Sequence, residues 1–189
     1  DASALPPITD IAQSIEPDSG SVIIDATTGE VWPHWAEVDS NAADDATRGL
    51  FLRPAVNYPE GHRIVIGIRN AVDGDGNAIE PTDAFRAYRD RLESDVPEVE
   101  ARRPAMEQVF ADLEAAGVAR DELTIAWDFT VISTESLTGP LLHMRDDAFE
   151  QLGYQSESAT FRNAYLMGAQ ELRHERLPSR PNTHGGYLA

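Results

Sequence analysis

Acidic and amide side chains in one glycine-rich turn form the strongest candidate for metal chemistry. Asp73, Asp75 and Asn77 alternate along the segment Asp73-Gly74-Asp75-Gly76-Asn77, as oxygen ligands alternate in calcium loops. The glutamate that closes such a loop is missing, because Ala84 occupies the position eleven residues after Asp73. Glycine- and asparagine-rich turns also form without metal. A plain hairpin turn is the favoured interpretation, a calcium site is the alternative, and no other cofactor is predicted.

Tryptophans provide the candidates for a binding surface. Trp32, Trp35 and Trp127 are the three in the sequence, and together they resemble the aromatic side chains of a sugar- or partner-binding platform. Trp32 and Trp35 are an odd number of positions apart, so on one regular strand they face opposite sides of the sheet. We expect one of the two to lie in the core and the other to be exposed, and the exposed one is the binding-surface candidate.

A histidine beside carboxylates raises the possibility of general base catalysis. His143 is close to Asp146 and Asp147 in a predicted helix, and a histidine–carboxylate pair can accept a proton. Adjacent helical residues point in different directions, and no serine or cysteine nucleophile lies nearby in a suitable motif. A structural histidine is therefore the favoured interpretation, and no catalytic residue is predicted.

Two further motifs near the carboxyl terminus have a chemical and a structural interpretation. Glu171 and His174 form the E-x-x-H half-motif of carboxylate-bridged di-iron bundles, but that site needs a second E-x-x-H pair, which the sequence lacks. His184-Gly185-Gly186 is similar to the oxyanion-loop glycines of hydrolases. A tail with adjacent glycines and prolines is more typical of a flexible end. The structural interpretation is favoured for both.

Composition excludes several classes of function. The formal charge of −18 repels nucleic-acid phosphates and anionic lipid head groups. No apolar run approaches the ~20 residues that cross a bilayer. The absence of cysteine excludes disulfides, thiolate zinc sites and a thiol nucleophile. The first residue is Asp1 and not Met, so we expect that the true start either has been processed, for example by loss of a signal peptide, or lies outside this chain.

Hydrophobic periodicity predicts strands first and helices later. In His62–Ala71, the three isoleucines Ile64, Ile66 and Ile68 point to one face. Met106, Val109, Phe110 and Leu113 have helical spacing. The predicted strands are Ser21–Ala26, Val31–Val38, Gly49–Val56, His62–Ala71 and Leu123–Ser133, and the predicted helices are Pro97–Gly117, Thr134–Leu152 and Ser156–Glu175, with Ile8–Ile15 as a short helical possibility and Thr82–Leu92 open between helix and strand.

Particular residues fix the expected boundaries of these elements. The turn Thr27–Glu30 predicts that Ser21–Ala26 and Val31–Val38 form a hairpin. Gly139-Pro140 is expected to split the second long helix, with Pro140 opening its main segment. Gly117 and Gly153 are expected to end their helices, as glycine often does.

Several segments together suggest a family. Arg53–Val56, Gly61–Arg63 and Asp73–Asn77 resemble the bacterial Ig-like modules of surface-layer and secreted proteins. Leu5–Asp10, Trp35–Asp39, Glu100–Arg103 and Ala126–Val131 are similar to the N-terminal half of large exported bacterial proteins, in which an Ig-like region precedes a lipase-like α/β-hydrolase domain. The resemblance covers roughly residues 5–153 and implies an accessory domain, since no G-x-S-x-G elbow occurs in the chain.

These observations predict a mainly β protein with appended helices, of the α+β class, built on an Ig-like β-sandwich. The expected parts are an extended arm (1–20), the sandwich (21–133) with an inserted helix (97–117), a helical extension (134–175) and a flexible tail (176–189). Five strands are fewer than the seven or so of an Ig-like domain. We therefore expect unpaired sheet edges that invite a partner strand.

The function predicted from the sequence is a non-catalytic, extracytoplasmic module that binds another protein or the rest of its parent chain. Two alternatives stay open. One is the non-catalytic part of a lipase-like esterase whose active site lies outside the chain, and the other is a calcium- or carbohydrate-binding module. No nucleic-acid partner and no transmembrane segment are predicted, and the location is periplasmic, cell-surface or secreted.

Overall fold

A computed structural model describes residues 4–44 and 48–174 of the chain. In the described residues, strands and helices are mixed, which confirms the α+β class, but the helices together contain more residues than the strands, so the expectation of a mainly β chain is wrong. The strands are β1 Ser21–Asp25, β2 Glu30–Val31, β3 His34–Val38, β4 Leu50–Pro54, β5 Arg63–Arg69 and β6 Leu123–Thr130; the helices are α1 Asp83–Arg89, α2 Pro97–Ala115, α3 Thr134–Gln155 and α4 Ala159–His174. Two short 3₁₀ helices cover Ile11–Ile15 and Arg120–Glu122.

The chain divides into two compact units, Asp1–Val131 and Ile132–Ala189. The first contains all six strands and the second contains α3 and α4 of the described part. The finer boundaries predicted from the sequence, at residues 20, 133 and 175, stay predictions. In the described parts of both units, no helix is long and apolar enough to cross a bilayer.

The main sheet of the first unit has the order β2-β1-β5-β6 and is antiparallel throughout. The alternation predicted for β5 is present, with Ile66 paired to Ile23 of β1 on one side and to Trp127 of β6 on the other. Because successive side chains alternate, β5 contributes Val65 to one face and Ile64 and Ile66 to the other. Both faces of this central strand are therefore buried.

Helices α1 and α2 cover one face of the sheet. The helical spacing of Met106, Val109, Phe110 and Leu113 correctly predicts the buried side of α2. The helix lies close to β5. A Cβ atom on Gly67 of β5 would come within 3.1 Å of the Leu113 side chain of α2, so the glycine makes this close approach possible. Gly117 follows the end of α2 with φ +84°, as the expected helix-ending glycine does.

The strand expected over Val31–Val38 is two strands in different sheets. β2 ends at Val31 and β3 begins at His34, with Pro33 between them, which has no N–H to donate to a ladder. The predicted hairpin survives only as the short β1–β2 pairing, Ile24 opposite Val31. β3 instead pairs with β4 in a separate two-stranded sheet.

The Ig-like sandwich is not confirmed. A sandwich needs a second sheet of several strands packed on the first, whereas helices cover one face of the main sheet here. Over the other face, in the described residues, lie Trp32, Leu52 and Tyr58, and only Leu52 belongs to the β3–β4 sheet. The segment Thr82–Leu92, which the sequence left open between helix and strand, contains helix α1.

The second unit differs from its prediction at Pro140 and Gly153. The Oγ atom of Ser133 accepts a hydrogen bond from the Ser136 N–H at the start of α3. The helix then continues through Pro140, which removes one backbone hydrogen bond without splitting it. It also continues past Gly153 to Gln155. Gly153 is buried, and its role is a close contact with Leu166 of α4 rather than a helix end.

Candidate functional site

The candidate functional site is the helical hairpin that α3 and α4 form. Residues later in α3 contact residues earlier in α4: Phe149 lies near Gly168, and Gly153 lies near Leu166. The helices are therefore antiparallel and joined by a short connection over residues 156–158. This geometry leaves the sides of both helices that turn away from the shared contact available to another surface.

Small residues allow the two helices to approach closely. A Cβ atom on Gly153 would lie 2.7 Å from Cδ2 of Leu166, closer than real Cβ atoms come to a neighbour. The Phe149 ring packs on Tyr165 with centroids 6.1 Å apart, and Ala169 of α4 is buried. The contact between the helices is thus apolar and tight at its centre.

Charged groups are also paired around this contact. Arg173 of α4 forms ion pairs with Glu150 and, at 3.8 Å, with Asp147 of α3. Hydrogen bonding to Glu150 raises the pKa of Arg173. Asp146 is almost fully buried, and its carboxylate accepts a hydrogen bond from Arg145 at 3.0 Å. The ion pairs of Arg173 connect the two helices, whereas the Arg145–Asp146 pair lies within α3.

A row of large apolar side chains on α3 does not take part in this contact. We call it the α3 stripe, and it consists of Leu137, Leu141, Met144, Ala148 and Leu152. Spacings of three and four residues place these side chains on one side of a helix. Leu141 is 65% exposed and Met144 is 58% exposed. The spacing of these residues shows that they share one side of α3, but it does not show whether that side faces a core or solvent.

Apolar residues on α4 extend the exposed surface. Phe161 and Met167 of α4 are both exposed. Soluble proteins rarely expose many large apolar side chains close together, and such surfaces mark sites of protein interaction. The hairpin therefore has the composition of an interface. The sequence analysis predicted a protein partner but did not locate its binding surface on these helices.

The acidic turn at residues 73–77 is held by its own hydrogen bonds. Oδ1 of Asp73 accepts hydrogen bonds from the backbone N–H groups of Asp75 (2.9 Å) and Asn77 (2.8 Å). Oδ2 accepts one from the Asn77 amide at 3.0 Å. Hydrogen bonding from Asn77 holds the pKa of Asp73 below its usual value. An isolated bridge between Val72 and Ala78 closes the loop as a hairpin.

Metal binding at this turn stays a prediction. Across residues 4–44 and 48–174, no group of three or more histidine, cysteine, aspartate or glutamate side chains is arranged to hold a metal ion. Asp73, Asp75 and Asn77 do share one loop, and the carboxylate of Asp73 already serves the loop itself.

Trp32 and Trp35 have different surroundings. Trp32 packs against the apolar cluster of the main sheet, and its Nε1 donates to the Val56 carbonyl at 2.8 Å. Trp35 pairs with Arg53 across the β3–β4 ladder. The Nε1 atom of Trp35 is buried without a hydrogen-bond partner in the described part of the chain. Both side chains are half-buried, and their role as a binding surface stays a prediction.

Of the three histidine motifs, the one around His143 is described with its side chains. Nε2 of His143 lies 3.6 Å from Oδ2 of Asp147, one turn along the exposed side of α3. Glu171 is exposed on α4. The side chain of His174 and the whole of His184-Gly185-Gly186 lie outside the residues that can be described.

Part of the hairpin is similar in sequence to a segment of known proteins. The family described as alkyl sulfatase dimerisation matches residues 138–175. An alkyl/aryl-sulfatase, BDS1, of Saccharomyces cerevisiae is 62% identical over 37 residues, 20% of this chain and 6% of that protein. A linear primary-alkylsulfatase of Pseudomonas sp is 58% identical over 43 residues, 22% of this chain and 6% of that protein.

A third relative shows the same limited coverage. The (R)-specific secondary-alkylsulfatase of Pseudomonas sp is 61% identical over 31 residues, which are 16% of this chain and 5% of that protein. The chain thus spans about 6% of the length of the first curated relatives that it matches. No solved structure matches the chain.

These comparisons overturn the resemblance to Ig-like regions of lipase-carrying exported proteins. The matched family is one of sulfatase dimerisation, and a matched relative comes from yeast, so the identification as a bacterial Ig-like module and the lipase-like alternative are wrong. The quoted motifs misled because proline-marked strands and Asp-Gly-Asn turns occur in many β-structures. The informative segment was the helical one, which that resemblance covered only up to residue 153.

Proposed function

We propose that the α3–α4 hairpin is a self-association element through which this chain pairs with a second copy. The observation that carries the proposal is one coincidence. Residues 138–175, which match alkyl sulfatase dimerisation, cover most of the hairpin and most of the exposed α3 stripe. The sequence predicted a protein partner without identifying it, and this proposal identifies that partner as a second copy of the chain.

The α3 stripe is suited to a symmetric contact. In a two-fold dimer the same patch meets itself, so that residue i of one copy contacts residue j of the other and the reverse. Leu137 and Leu152 are equally far from the junction between Met144 and Arg145, and so are Leu141 and Ala148. An antiparallel pair of α3 helices centred near Met144 would bring these residues together and bury the stripe.

We further propose that the chain is an accessory part of an alkylsulfatase-type protein and that it hydrolyses no sulfate ester itself. The names of the matched relatives support the class of protein, and the described hairpin residues support association rather than chemistry. Release of inorganic sulfate from decyl sulfate by the isolated chain should equal that of buffer. Release that grows with chain concentration would contradict this part of the proposal. The extracytoplasmic location stays a prediction.

Sedimentation velocity and light scattering of the full chain test the proposed dimer. The mass should be twice 20.7 kDa at micromolar concentration and above. Met144→Glu should give a monomer, because it would bury two like charges near the two-fold axis, at a cost of several kcal/mol. Tyr154→Glu is the matched control: it removes an exposed apolar side chain and adds the same charge outside the α3 stripe.

Three results would count against the proposal. These are a monomeric parent chain, a Met144→Glu variant that remains a dimer, and a Tyr154→Glu variant that dissociates as fully as Met144→Glu. Far-UV circular dichroism of each variant confirms that α3 is still helical, so that dissociation is not confused with unfolding.

A further inference from the structure

The hairpin loop at residues 73–77 contains two aspartates that each precede a glycine. They are Asp73-Gly74 and Asp75-Gly76, and no other aspartate in the sequence precedes a glycine. In such a pair the backbone nitrogen of the glycine can attack the side-chain carboxyl carbon of the aspartate, because glycine has no Cβ atom to obstruct the approach. The loop therefore holds two candidates for a backbone rearrangement, and they differ in their surroundings.

The rearrangement exchanges one amide bond for another without an oxidant or a reductant. The glycine nitrogen forms a bond to Cγ of the protonated aspartate carboxyl group, and the amide proton leaves with the carboxyl hydroxyl as one water molecule. The product is a five-membered succinimide ring. Water then adds to one of its two carbonyl carbons and breaks that C–N bond. One choice restores aspartate, and the other gives isoaspartate, in which the main chain runs through Cβ and Cγ.

Hydrogen bonds hold the Asp73 carboxylate away from this reaction. Its Oδ1 atom accepts from the backbone N–H groups of Asp75 and Asn77, and its Oδ2 atom accepts from the Asn77 side-chain amide. These bonds must break before Cγ can turn toward the nitrogen of Gly74. Hydrogen bonding from Asn77 also lowers the pKa of Asp73, so its carboxyl group is protonated less often than an ordinary one.

The Asp75 carboxylate is exposed and makes no hydrogen bond or ion pair within residues 4–44 and 48–174. A Cβ atom on Gly76 would meet no atom within 4 Å, so the space around the closing ring is open. The Gly76 N–H donates to the Asp73 carbonyl at 3.2 Å, a single long bond in an exposed turn. Ring closure at Asp75 therefore breaks fewer hydrogen bonds than ring closure at Asp73.

We propose that Asp75-Gly76 is a site of isoaspartate formation in the folded chain and that the hydrogen bonds of Asp73 protect Asp73-Gly74. The product has one more main-chain atom inside a loop that a hydrogen bond closes, from the Asp73 N–H to the Asn77 carbonyl at 2.9 Å. The longer loop loses the register that places the Asn77 N–H and amide on the Asp73 carboxylate. The modified chain carries a free isoaspartyl α-carboxylate, a group that a methyltransferase for isoaspartyl residues can esterify.

Ageing of the full chain at mildly acidic pH, followed by peptide mapping, tests the site. Trypsin cleaves after Arg69 and Arg86, so both aspartates lie in one peptide, and electron-transfer fragmentation distinguishes isoaspartate from aspartate at each position. In the folded chain, isoaspartate at position 75 should exceed that at position 73 at least about fivefold, because fewer hydrogen bonds oppose it. In concentrated urea the loop is unfolded, and both positions should be modified equally.

Two variants of the loop separate the two positions. Asn77→Ala removes the amide that binds Oδ2 of Asp73, and it should raise isoaspartate at position 73 at least about twofold. Asp75→Glu keeps the charge but would have to close a six-membered ring, so it should abolish modification at position 75 and leave position 73 unchanged. Methyl transfer to the aged intact chain by an isoaspartyl methyltransferase should fall by most of its value in Asp75→Glu.

Three outcomes would overturn the site. They are equal amounts of isoaspartate at positions 73 and 75 of the folded chain, the same ratio of the two with and without urea, and a folded chain that stays unmodified at position 75 while the urea sample is modified. The proposal does not depend on the α3–α4 hairpin, because the loop lies in the first unit. A monomeric chain that forms isoaspartate at position 75 would therefore contradict only the proposed dimer.

Discussion

The Oγ atom of Ser21 lies 2.8 Å from Nε2 of His34, and both residues are completely buried. Nδ1 of His34 is 3.0 Å from the Trp32 carbonyl, which can only accept, so Nδ1 carries the proton. Nε2 then accepts a hydrogen bond from the Ser21 hydroxyl. This hydrogen bond joins β1 of the main sheet to β3 of the second sheet.

A double-mutant cycle on this pair should reveal a favourable coupling of about 1 kcal/mol. Ser21→Ala alone leaves a buried nitrogen without a donor, and His34→Phe alone leaves a buried hydroxyl without an acceptor. Each should destabilise the chain by about 1–3 kcal/mol, and the double variant should lose less than the sum. Urea unfolding measures all four proteins. Strict additivity would show that the hydrogen bond contributes nothing specific.

The same histidine should make the first unit sensitive to mild acid. Burial lowers the pKa of His34 below its usual value near 6.5, although the hydrogen bond to Trp32 partly opposes the shift. Below about pH 6.5, the imidazole of His34 therefore binds a proton in the unfolded chain but not in the folded chain. The free energy of unfolding should therefore fall as the pH drops below about 6.5 and be independent of this group above it.

Comparison with His34→Phe isolates this contribution from other groups that titrate. The variant lacks the buried imidazole, and it should lose part of the decline in stability below pH about 6.5. At still lower pH, Asp25 adds a second loss in both proteins. Burial disfavours its ionisation, but hydrogen bonds from His62 and the Thr27 backbone outweigh burial and lower its pKa from 3.8. Parallel profiles between pH 4 and 7 would exclude His34 as a source.

Arg120 connects three elements around the core and should not tolerate lysine. Its guanidinium binds both carboxylate oxygens of Glu107, donates to the Tyr88 carbonyl at 2.6 Å and lies 3.9 Å above the Phe110 ring. Lysine cannot make these contacts at the same time. Arg120→Lys should cost about 1–3 kcal/mol in urea unfolding.

An exposed arginine is the control for that substitution. Arg53 pairs with Glu37 on the surface of the β3–β4 sheet, where both side chains are largely solvated. Arg53→Lys should change the free energy of unfolding by less than about 0.5 kcal/mol. Equal losses for the two variants would show that the Arg120 contacts have no special weight.

The sequence predicted elements well where local signals and tertiary packing agree. The period of Met106 to Leu113 identified the buried side of α2, and the alternation of Ile64 to Ile68 identified the central strand. It failed where tertiary contacts decide. Pro33 interrupts the strand expected over Val31–Val38, and the polar link from His34 to Ser21 depends on how β3 packs across β1.

The candidate site was harder to predict than the fold. A 3.6-residue period shows that Leu141 and Met144 share one side of α3, but it is identical for a buried and an exposed side. Gly153 was interpreted as a helix end because glycine is frequent there. Only its contact with Leu166 shows that it is needed inside the helix. Similarity of residues 138–175 to sulfatase dimerisation was the signal that pattern analysis lacked.

Gly153→Ala should separate the helices of the hairpin. The new methyl group would lie 2.7 Å from Cδ2 and 2.8 Å from Cγ of Leu166, so the helices must shift apart at a cost of about 1–3 kcal/mol. Gly139→Ala is the control in the same helix, because no atom lies within 4 Å of its Cβ position. Its higher helix propensity should stabilise α3 by up to about 1 kcal/mol. Thermal unfolding followed at 222 nm compares the two.

The same pair of variants connects the hairpin to self-association. If the α3 stripe must be held in place by α4 to meet a second copy, Gly153→Ala should weaken the dimer in sedimentation velocity while Gly139→Ala leaves it intact or strengthens it. Since neither substitution touches the α3 stripe, this effect would come from the geometry of the hairpin alone. A dimer unaffected by Gly153→Ala, in a protein whose melting temperature has fallen, would show that α3 associates without the support of α4.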